Sequence, residues 1–472
     1  MLTNRNSSNH PSGPATAPLP KMTTASGCIS ISHASHGKQT VERNSPGIRF
    51  ENQSNQSTPS NSTANEPTGN AISQPRVALY SHDTMGLGHL RRNLLIAQSL
   101  SEAPLGATSL LITGAHEANF FTLPKQSDFL TLPRLRKEAD GNYSSGQLAI
   151  SIEDLISLRA DSICSALTTF QPDVLIVDKV PSGAFGELLP TLRTLNEYTS
   201  TRCVLGIRDV LDDPETVRAE FEKSDSYALI DRFFEEIWIY GDQRIYDPVK
   251  EYHWPKSIAE KVKFTGYLDQ TNRTSSLDTL SDSCPLEFED IEDRLIVCTL
   301  GGGQDGLDLG RAFLESLPTT GYTGVLLAGP YMEQGALRSL QEAALERGNC
   351  QVLDFTPEAN QLICRANRVI AMGGYNTVCS VLSYQKAALI VPRVCPRSEQ
   401  WIRAERLKNL GLLDVLHPQY LSGNALHDWI TSDRCETAKA SFLVEFDGLV
   451  EVRNLCGKLI HQTISNSSKE RA

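Results

Sequence analysis

The feature that most constrains this chain is a series of short segments, apolar at nearly every position, that begins at Arg76: RVALYS, TSLLITG, DVLIVD, CVLGI, EEIWIY and VKFTG. Strands with one face in water alternate apolar and polar residues, whereas strands apolar throughout belong in a parallel sheet covered by helices on both faces. Parallel neighbours need a crossover of a dozen or more residues, and a spacing of about 30 residues leaves room for one helix per strand. One interval, from Gly114 to Pro172, is about twice as long and must also hold loops ahead of a helix near Ile152–Phe170.

After the polar, turn-prone stretch TNRTSSLDTLSDSCPLEFED the series restarts with RLIVCTL, GVLLAG, CQVLDF, RVIAMG and AALIVP. Between them, LGRAFLESL and EQGALRSLQEAALERG are helical by the spacing of their apolar residues. The expected architecture is α/β: two doubly wound, Rossmann-like domains, residues 76–270 and 291–460, joined by a linker at 271–290 and followed by a polar tail at 461–472. Residues 1–75, rich in Ser, Asn, Thr, Pro and Gln, predict a disordered N-terminal extension, because so few apolar residues cannot offset the entropy of ordering. That extension has neither the continuous apolar core of a secretory signal nor the Arg-rich amphipathic character of a transit peptide. Ligands of doubly wound sheets bind beyond the carboxyl ends of the strands, so the cleft between the domains is the expected site.

Composition removes several classes. Lys and Arg number 44 against 56 Asp and Glu, a formal charge of −12, which argues against nucleic acid as a partner. No apolar run reaches the roughly 20 residues that span a bilayer. Eleven Cys without one C-x-x-C read as reduced thiols of a cytoplasmic protein, not as a disulfide framework or a zinc site.

Three glycine clusters each follow a strand and precede a helix: SHDTMGLGHLRR with Gly86, Gly88 and His89, LGGGQDGLD with Gly301, Gly302, Gly303 and Gly306, and MGGYNTVCS with Gly373, Gly374, Asn376 and Thr377. Glycine lets backbone N–H groups come close to a ligand, and the helix behind offers unpaired donors and a positive dipole end. That combination suits a phosphate. A single cluster is equally well a tight strand-to-helix turn; three in the same setting favour anion binding. Gly301, Gly303 and Gly306 satisfy G-x-G-x-x-G, but the next strand, GVLLA, runs into Gly329 and Pro330 with no acidic residue for a ribose, which disfavours NAD. The chain has no P-loop motif, no D-x-D and no H-E-x-x-H, so a departing diphosphate would rely on amides and helix ends instead of a metal.

In their flanking sequence, MGLGHLRRNLLIA, GGGQDG and MGGYNTVCSVLSYQKAALIVPRVCPRSEQWIRAERLKNLG, these turns resemble family 28 glycosyltransferases. That is the MurG-like group with the GT-B fold, and the resemblance is to its branch of predicted glycosyltransferases, over roughly residues 76–460. The resemblance implies transfer of a hexosyl or N-acetylhexosaminyl group from a nucleoside diphosphate sugar, UDP-linked in the first instance, with no further cofactor. Position by position it implies that Gly301, Gly302, Gly303 and Gln304 line the donor pocket and that Phe355 and Thr356 meet the base. Gly374, Asn376 and Thr377 would cradle the diphosphate, and Glu399 and Gln400 would bond sugar hydroxyls. His89 would face the cleft from the acceptor side, beside the Gly86–Gly88 turn. Ser380 stands where the family usually places a Glu that accepts both ribose hydroxyls, and Gln385-Lys386-Ala387 replaces the usual G-x-P.

Inverting transfer needs a base for the acceptor hydroxyl, and an imidazole titrating near neutrality makes His89 the first candidate. Asp83, beside His82 on the same strand end, is the second, as base or as orienting partner. Further strand ends carry Asp178 and Lys179, Arg208 and Asp209, and Tyr240 with Asp242, each equally a capping or ion-paired residue. Arg91 and Arg92 either meet phosphate or lie on a solvated helix face. The segment HEANFFTLPKQSDFLTLPRLRKEADGNYSSG, with Arg134, Arg136 and Lys137, reads as an acceptor loop, as a peripheral contact with anionic lipid at the inner face of a membrane, or as a buried strand plus exposed turn. The acceptor is left open among a carbohydrate, a lipid-linked and a small-molecule compound. The alternatives to transfer are a non-catalytic nucleotide-sugar binder and a UDP-sugar 2-epimerase on the same scaffold.

Overall fold

The computed structural model describes residues 74–82, 87–137, 143–271, 294–356, 359–432 and 443–470, all within one compact unit, Ala71–Ala472. The expected N-terminal extension, nearly all of the expected linker, and the site candidates Asp83 and Gly86 lie outside the described residues.

The apolar segments form two parallel sheets. The first lobe contains β1 (Arg76–Ser81), β2 (Thr108–Thr113), β3 (Ser127–Thr131), β6 (Val174–Asp178), β7 (Arg202–Arg208), β8 (Glu236–Tyr240) and β9 (Val262–Phe264); β4 (Arg136–Lys137) and β5 (Tyr143–Ser144) make a small antiparallel ribbon beside it. Its strand order is β3-β2-β1-β6-β7-β8-β9, with every pair parallel. The second lobe has β10 (Arg294–Thr299), β11 (Tyr322–Leu327), β12 (Cys350–Leu353), β13 (Arg368–Ala371), β14 (Ala387–Ile390) and β15 (Asp414–Val415), in the order β12-β11-β10-β13-β14-β15. The central strands are sealed on both faces: Val77, Ala78, Leu79 and Tyr80 of β1 and Val369, Ile370 and Ala371 of β13 are all inaccessible. That is why they read as unbroken apolar runs.

Two strands carry no such run. At the sheet edge β3 is only partly buried along its length, and β15 has two residues. The long interval before β6 therefore holds a strand and a ribbon ahead of the helix Ile152–Phe170, which begins with the Ser151 side chain accepting from Asp154 N–H at 3.0 Å.

The last helix, Gly448–Glu470, returns to the first lobe and runs through most of the stretch expected to be a polar tail. Its buried Val452, Cys456 and Leu459 share a core with Leu94 and Leu95 of the helix Gly88–Ser101. Ser99 Oγ donates to Leu449 O at 3.0 Å, and Arg453 pairs with Glu102 at 2.7 Å. Among the described residues no helix is long and apolar enough to cross a membrane.

Candidate functional site

Strand order reverses between β1 and β6 in the first sheet and between β10 and β13 in the second. A doubly wound sheet opens a crevice at such a point, outside the carboxyl ends of its strands. The three glycine clusters follow β1, β10 and β13, so each lies at a reversal. The helices they lead into, Gly88–Ser101, Leu307–Ser316 and Tyr375–Ser383, begin without a capping hydrogen bond from the side chain of the N-cap residue. By contrast Ser151, Asp213, Glu333 and Ser422 cap helices elsewhere. The uncapped ends keep their N–H donors available. A Cβ on Gly301 or Gly374 would meet nothing within 4 Å, so both turns border open space, and at Gly301 the φ of +64° itself favours glycine. Gly301, Gly302 and Gln304 are exposed, while Gly303 packs under the turn against Ala328 O.

On the first-lobe side, His89, Arg92 and Asp178 form a cluster. Arg92 Nη2 donates to both Asp178 oxygens at 2.7 and 2.5 Å, and His89 Nδ1 lies 3.2 Å from Asp178 Oδ2. Asp178 is sealed at 1% exposure and His89 keeps 14%, so the carboxylate is shut away behind a ring that retains some open surface. Burial alone would raise the Asp178 pKa, but the charges of Arg92 and His89 outweigh it and hold the carboxyl well below the usual range. The His82 ring lies 4.8 Å from that of His89, and among the described residues its buried Nδ1 has no hydrogen-bond partner. Burial first, and then repulsion by His89, pull the His82 pKa down, so this second imidazole stays neutral.

Ion pairs and aromatic contacts fix one lobe against the other. Arg403, fully buried, holds Asp209 through Nε at 2.9 Å and Nη2 at 2.7 Å, and Tyr267 Oη donates to the same carboxylate at 2.8 Å. Tyr375, the first residue of the helix behind Gly374, has Arg92 5.6 Å and Arg403 5.7 Å from its ring, and Tyr267 stacks on it at 6.1 Å. The N-terminus of that helix is therefore held rigidly against the first lobe. Nearby, Asp212 accepts from Arg397 at 2.9 Å and from Ser398 N–H at 2.8 Å, Arg208 pairs closely with Glu399, and Asn376 Nδ2 donates to Gly88 O at 2.9 Å.

Two parallel doubly wound lobes, meeting through the carboxyl ends of their strands with glycine turns at both reversals, decide the architecture. The chain has the GT-B fold. Solved structures that share it include UGT73P12 of Glycyrrhiza uralensis, complexed with glycyrrhetinic acid 3-O-monoglucuronide, at a TM-score of 0.54 and 11% identity over 84% of this chain and 98% of that one. UGT2 of Phytolacca americana, complexed with UDP-2fluoro-glucose and pterostilbene, matches at 0.51 and 11% over 84% and 99%. UDP-GlcNAc 2-epimerase of Neisseria meningitidis, bound to UDP-GlcNAc, matches at 0.51 and 11% over 82% and 99%. No family model and no curated protein matches the sequence.

Within this GT-B frame the residues singled out in the sequence divide. Gly88, His89, Gly301, Gly302, Gln304, Gly374, Asn376 and Thr377 lie on the turns that meet at the cleft. Phe355 packs against Phe120 and Phe121 of the first lobe at centroid distances of 6.1 and 6.0 Å, and the Thr356 carbonyl accepts from Arg91 at 3.2 Å. Glu399 is buried and already paired with Arg208, and Gln400 Oε1 accepts from Arg393 N–H at 2.9 Å, which shapes the loop instead of leaving the amide free. Ser380 is buried as well: its single hydroxyl hydrogen lies between two acceptors, Asn360 Oδ1 at 2.8 Å and Asn376 O at 2.9 Å, so it supports the helix from behind. Arg91 and Arg92 are both engaged in cross-lobe contacts; neither lies on a solvated face. Arg403 escaped notice because a charged residue on a helix reads as surface, and Arg397 because it lies in the loop ahead of that helix. The signal for Arg403 was spacing, since Glu399, Arg403 and Leu407 repeat every four residues on the buried side.

Proposed function

We propose that this chain is a nucleotide-sugar-dependent glycosyltransferase: the second lobe binds the donor, and the first positions an acceptor hydroxyl. The observation that carries this reading is the facing pair of strand-order reversals, each with an uncapped glycine turn and one of them backed by His89 on Asp178. The anomeric carbon bonds to the acceptor oxygen as its bond to the diphosphate oxygen breaks. His89 Nε2 takes the acceptor proton in the tautomer that carries the ring proton on Nδ1, 3.2 Å from Asp178 Oδ2; Arg92 Nη2, 3.1 Å from the same Nδ1, then donates to Asp178 and not to the ring. Amides at the start of the helix Tyr375–Ser383, together with Asn376 and Thr377, receive the diphosphate charge, so no metal ion is needed for its departure. Attack by the acceptor oxygen on the face of the anomeric carbon opposite the diphosphate gives inversion. Structures of the same fold that hold UDP-2fluoro-glucose and UDP-GlcNAc support uridine as the nucleoside and a hexosyl or N-acetylhexosaminyl group as the cargo. Asp83, the other candidate base, lies outside the described residues.

The deciding experiment follows nucleotide release from UDP-, GDP- and dTDP-sugars across an acceptor panel, with and without chelator. Transfer predicts UDP release that depends on acceptor and is unchanged by chelator. Conversion of a UDP-sugar to its C2 epimer without acceptor would identify an epimerase, and binding without turnover a sugar-nucleotide sensor.

A substitution at Gly374 separates binding from folding. Its φ of −59° suits any residue and its Cβ would point into open space, so Gly374→Leu is expected to leave the melting temperature nearly unchanged. The new side chain occupies the space proposed for the diphosphate, and UDP affinity is expected to fall by at least about tenfold in calorimetry. Wild-type affinity in that variant would move the diphosphate elsewhere.

A further inference from the structure

Lys179 follows β6 at the strand-order reversal of the first lobe. Its φ of +68° lies where residues with side chains rarely sit, and its N–H is bonded to Gly206 O at 2.8 Å, which pins the turn. It is half-buried, yet among the described residues its ammonium has no ion-pair or hydrogen-bond partner. The cations around it do have partners: Arg92 holds Asp178, Arg397 holds Asp212 and Glu220, and Arg208 holds Glu399. Among the described residues Arg208 keeps a buried Nε without a hydrogen-bond partner. Glu399 is held by Arg208 and has Arg393 Nη2 3.8 Å away, so of these four cations Lys179 is the one with no carboxylate within ion-pair distance among the described residues. Burial, and next repulsion from Arg208, lower the Lys179 pKa to about 8. A half-buried cation at a strand-order reversal, with no carboxylate in ion-pair reach, is open to a ligand of opposite charge, and such groups concentrate at binding sites.

We infer that Lys179 and Arg208 form an anion subsite in the cleft for a carboxylate or phosphate carried by the substrate, separate from the diphosphate grip at Gly374. The subsite lies at the ends of β6 and β7 beside Glu399, whereas the Gly301 and Gly374 turns follow β10 and β13. The inference rests on the nucleotide-sugar reading of the cleft. The anion arrives either on the transferred sugar, as in a hexuronosyl donor, or on the acceptor.

Calorimetric titration distinguishes these sources. UDP, UDP-glucose and UDP-glucuronate are titrated into wild type, Lys179→Met and Lys179→Arg; glucose, glucuronate and glucose 6-phosphate are then titrated into each protein saturated with UDP. Wild type is expected to bind one anionic ligand at least about tenfold more tightly than its neutral counterpart. Lys179→Arg keeps that preference, and Lys179→Met removes it while UDP affinity changes by less than about twofold. A preference among UDP-sugars places the anion on the transferred sugar; a preference among the added sugars places it on the acceptor. Normal UDP binding by wild type with equal affinity for charged and neutral ligands would overturn the subsite and leave the donor reading standing, a comparison that needs no variant to fold. Loss of UDP affinity in Lys179→Met would assign the residue to the diphosphate and likewise overturn it. Failure of wild type to bind any UDP ligand would remove the donor reading, and the subsite with it.

Discussion

Arg403→Met is expected to destabilise the protein by about 3–5 kcal/mol, because it strands the Asp209 carboxylate in a dry interface. The wild-type pair is sealed, with Arg403 at 0% and Asp209 at 1% exposure, and the guanidinium also donates to Val210 O at 3.2 Å. Burial alone would lower the Arg403 pKa; the Asp209 charge and its hydrogen bonds outweigh burial and raise it, so the guanidinium stays protonated. Urea unfolding of the single and double variants measures the effect. Asp209→Asn combined with Arg403→Met removes the buried charge while keeping an acceptor for Tyr267, and should recover at least half of the loss. An Arg403→Met midpoint within about 0.5 kcal/mol of wild type would mean that apolar contacts alone hold the lobes.

The same pair shows what the sequence could and could not disclose. The parallel sheets were legible because a strand covered on both faces must be apolar at every position, and β1, β6, β10 and β13 are covered in that way. The glycine turns were legible because their residue types are dictated locally, by φ at Gly301 and by close approach at Gly303. Pairing between the lobes was not. Arg403 meets Asp209 across 194 residues of chain, and Arg397 meets Asp212 across 185. No local pattern ties such residues together; what selects them is the depth at which a long guanidinium finds a carboxylate once both sheets are built. Ser380 teaches the converse. Its place in the motif aligns it with a ligand contact, but a hydroxyl is too short to reach from the helix to the cleft and is satisfied one turn back, at Asn376 O and Asn360. The site therefore has to hold its ribose, if it holds one, by some group other than Ser380.

His89→Gln is expected to lower kcat by about 10²–10⁴ while leaving UDP-sugar affinity within about twofold of wild type. The ring sits against Asp178, Arg92 and His82 of the first lobe, and among the described residues no hydrogen bond or ring contact joins it to the second, so on the proposed reading its loss removes proton transfer and not donor binding. Glutamine keeps a polar group of similar reach near Asp178, which keeps the Arg92–Asp178 pair buried and compensated. That matters because Arg92 also braces Tyr375, and a variant that disturbed it would change binding and turnover together. The contrast with Arg92→Met makes the test sharp: that change should weaken UDP binding and stability as well as rate, since the carboxylate loses its counter-ion and the Tyr375 ring loses one of its two cations. Single-turnover measurement at saturating donor separates the two outcomes. Unchanged kcat in His89→Gln would pass the base to another group at the end of β1, while equal losses in rate and affinity would make His89 a donor contact instead of a base.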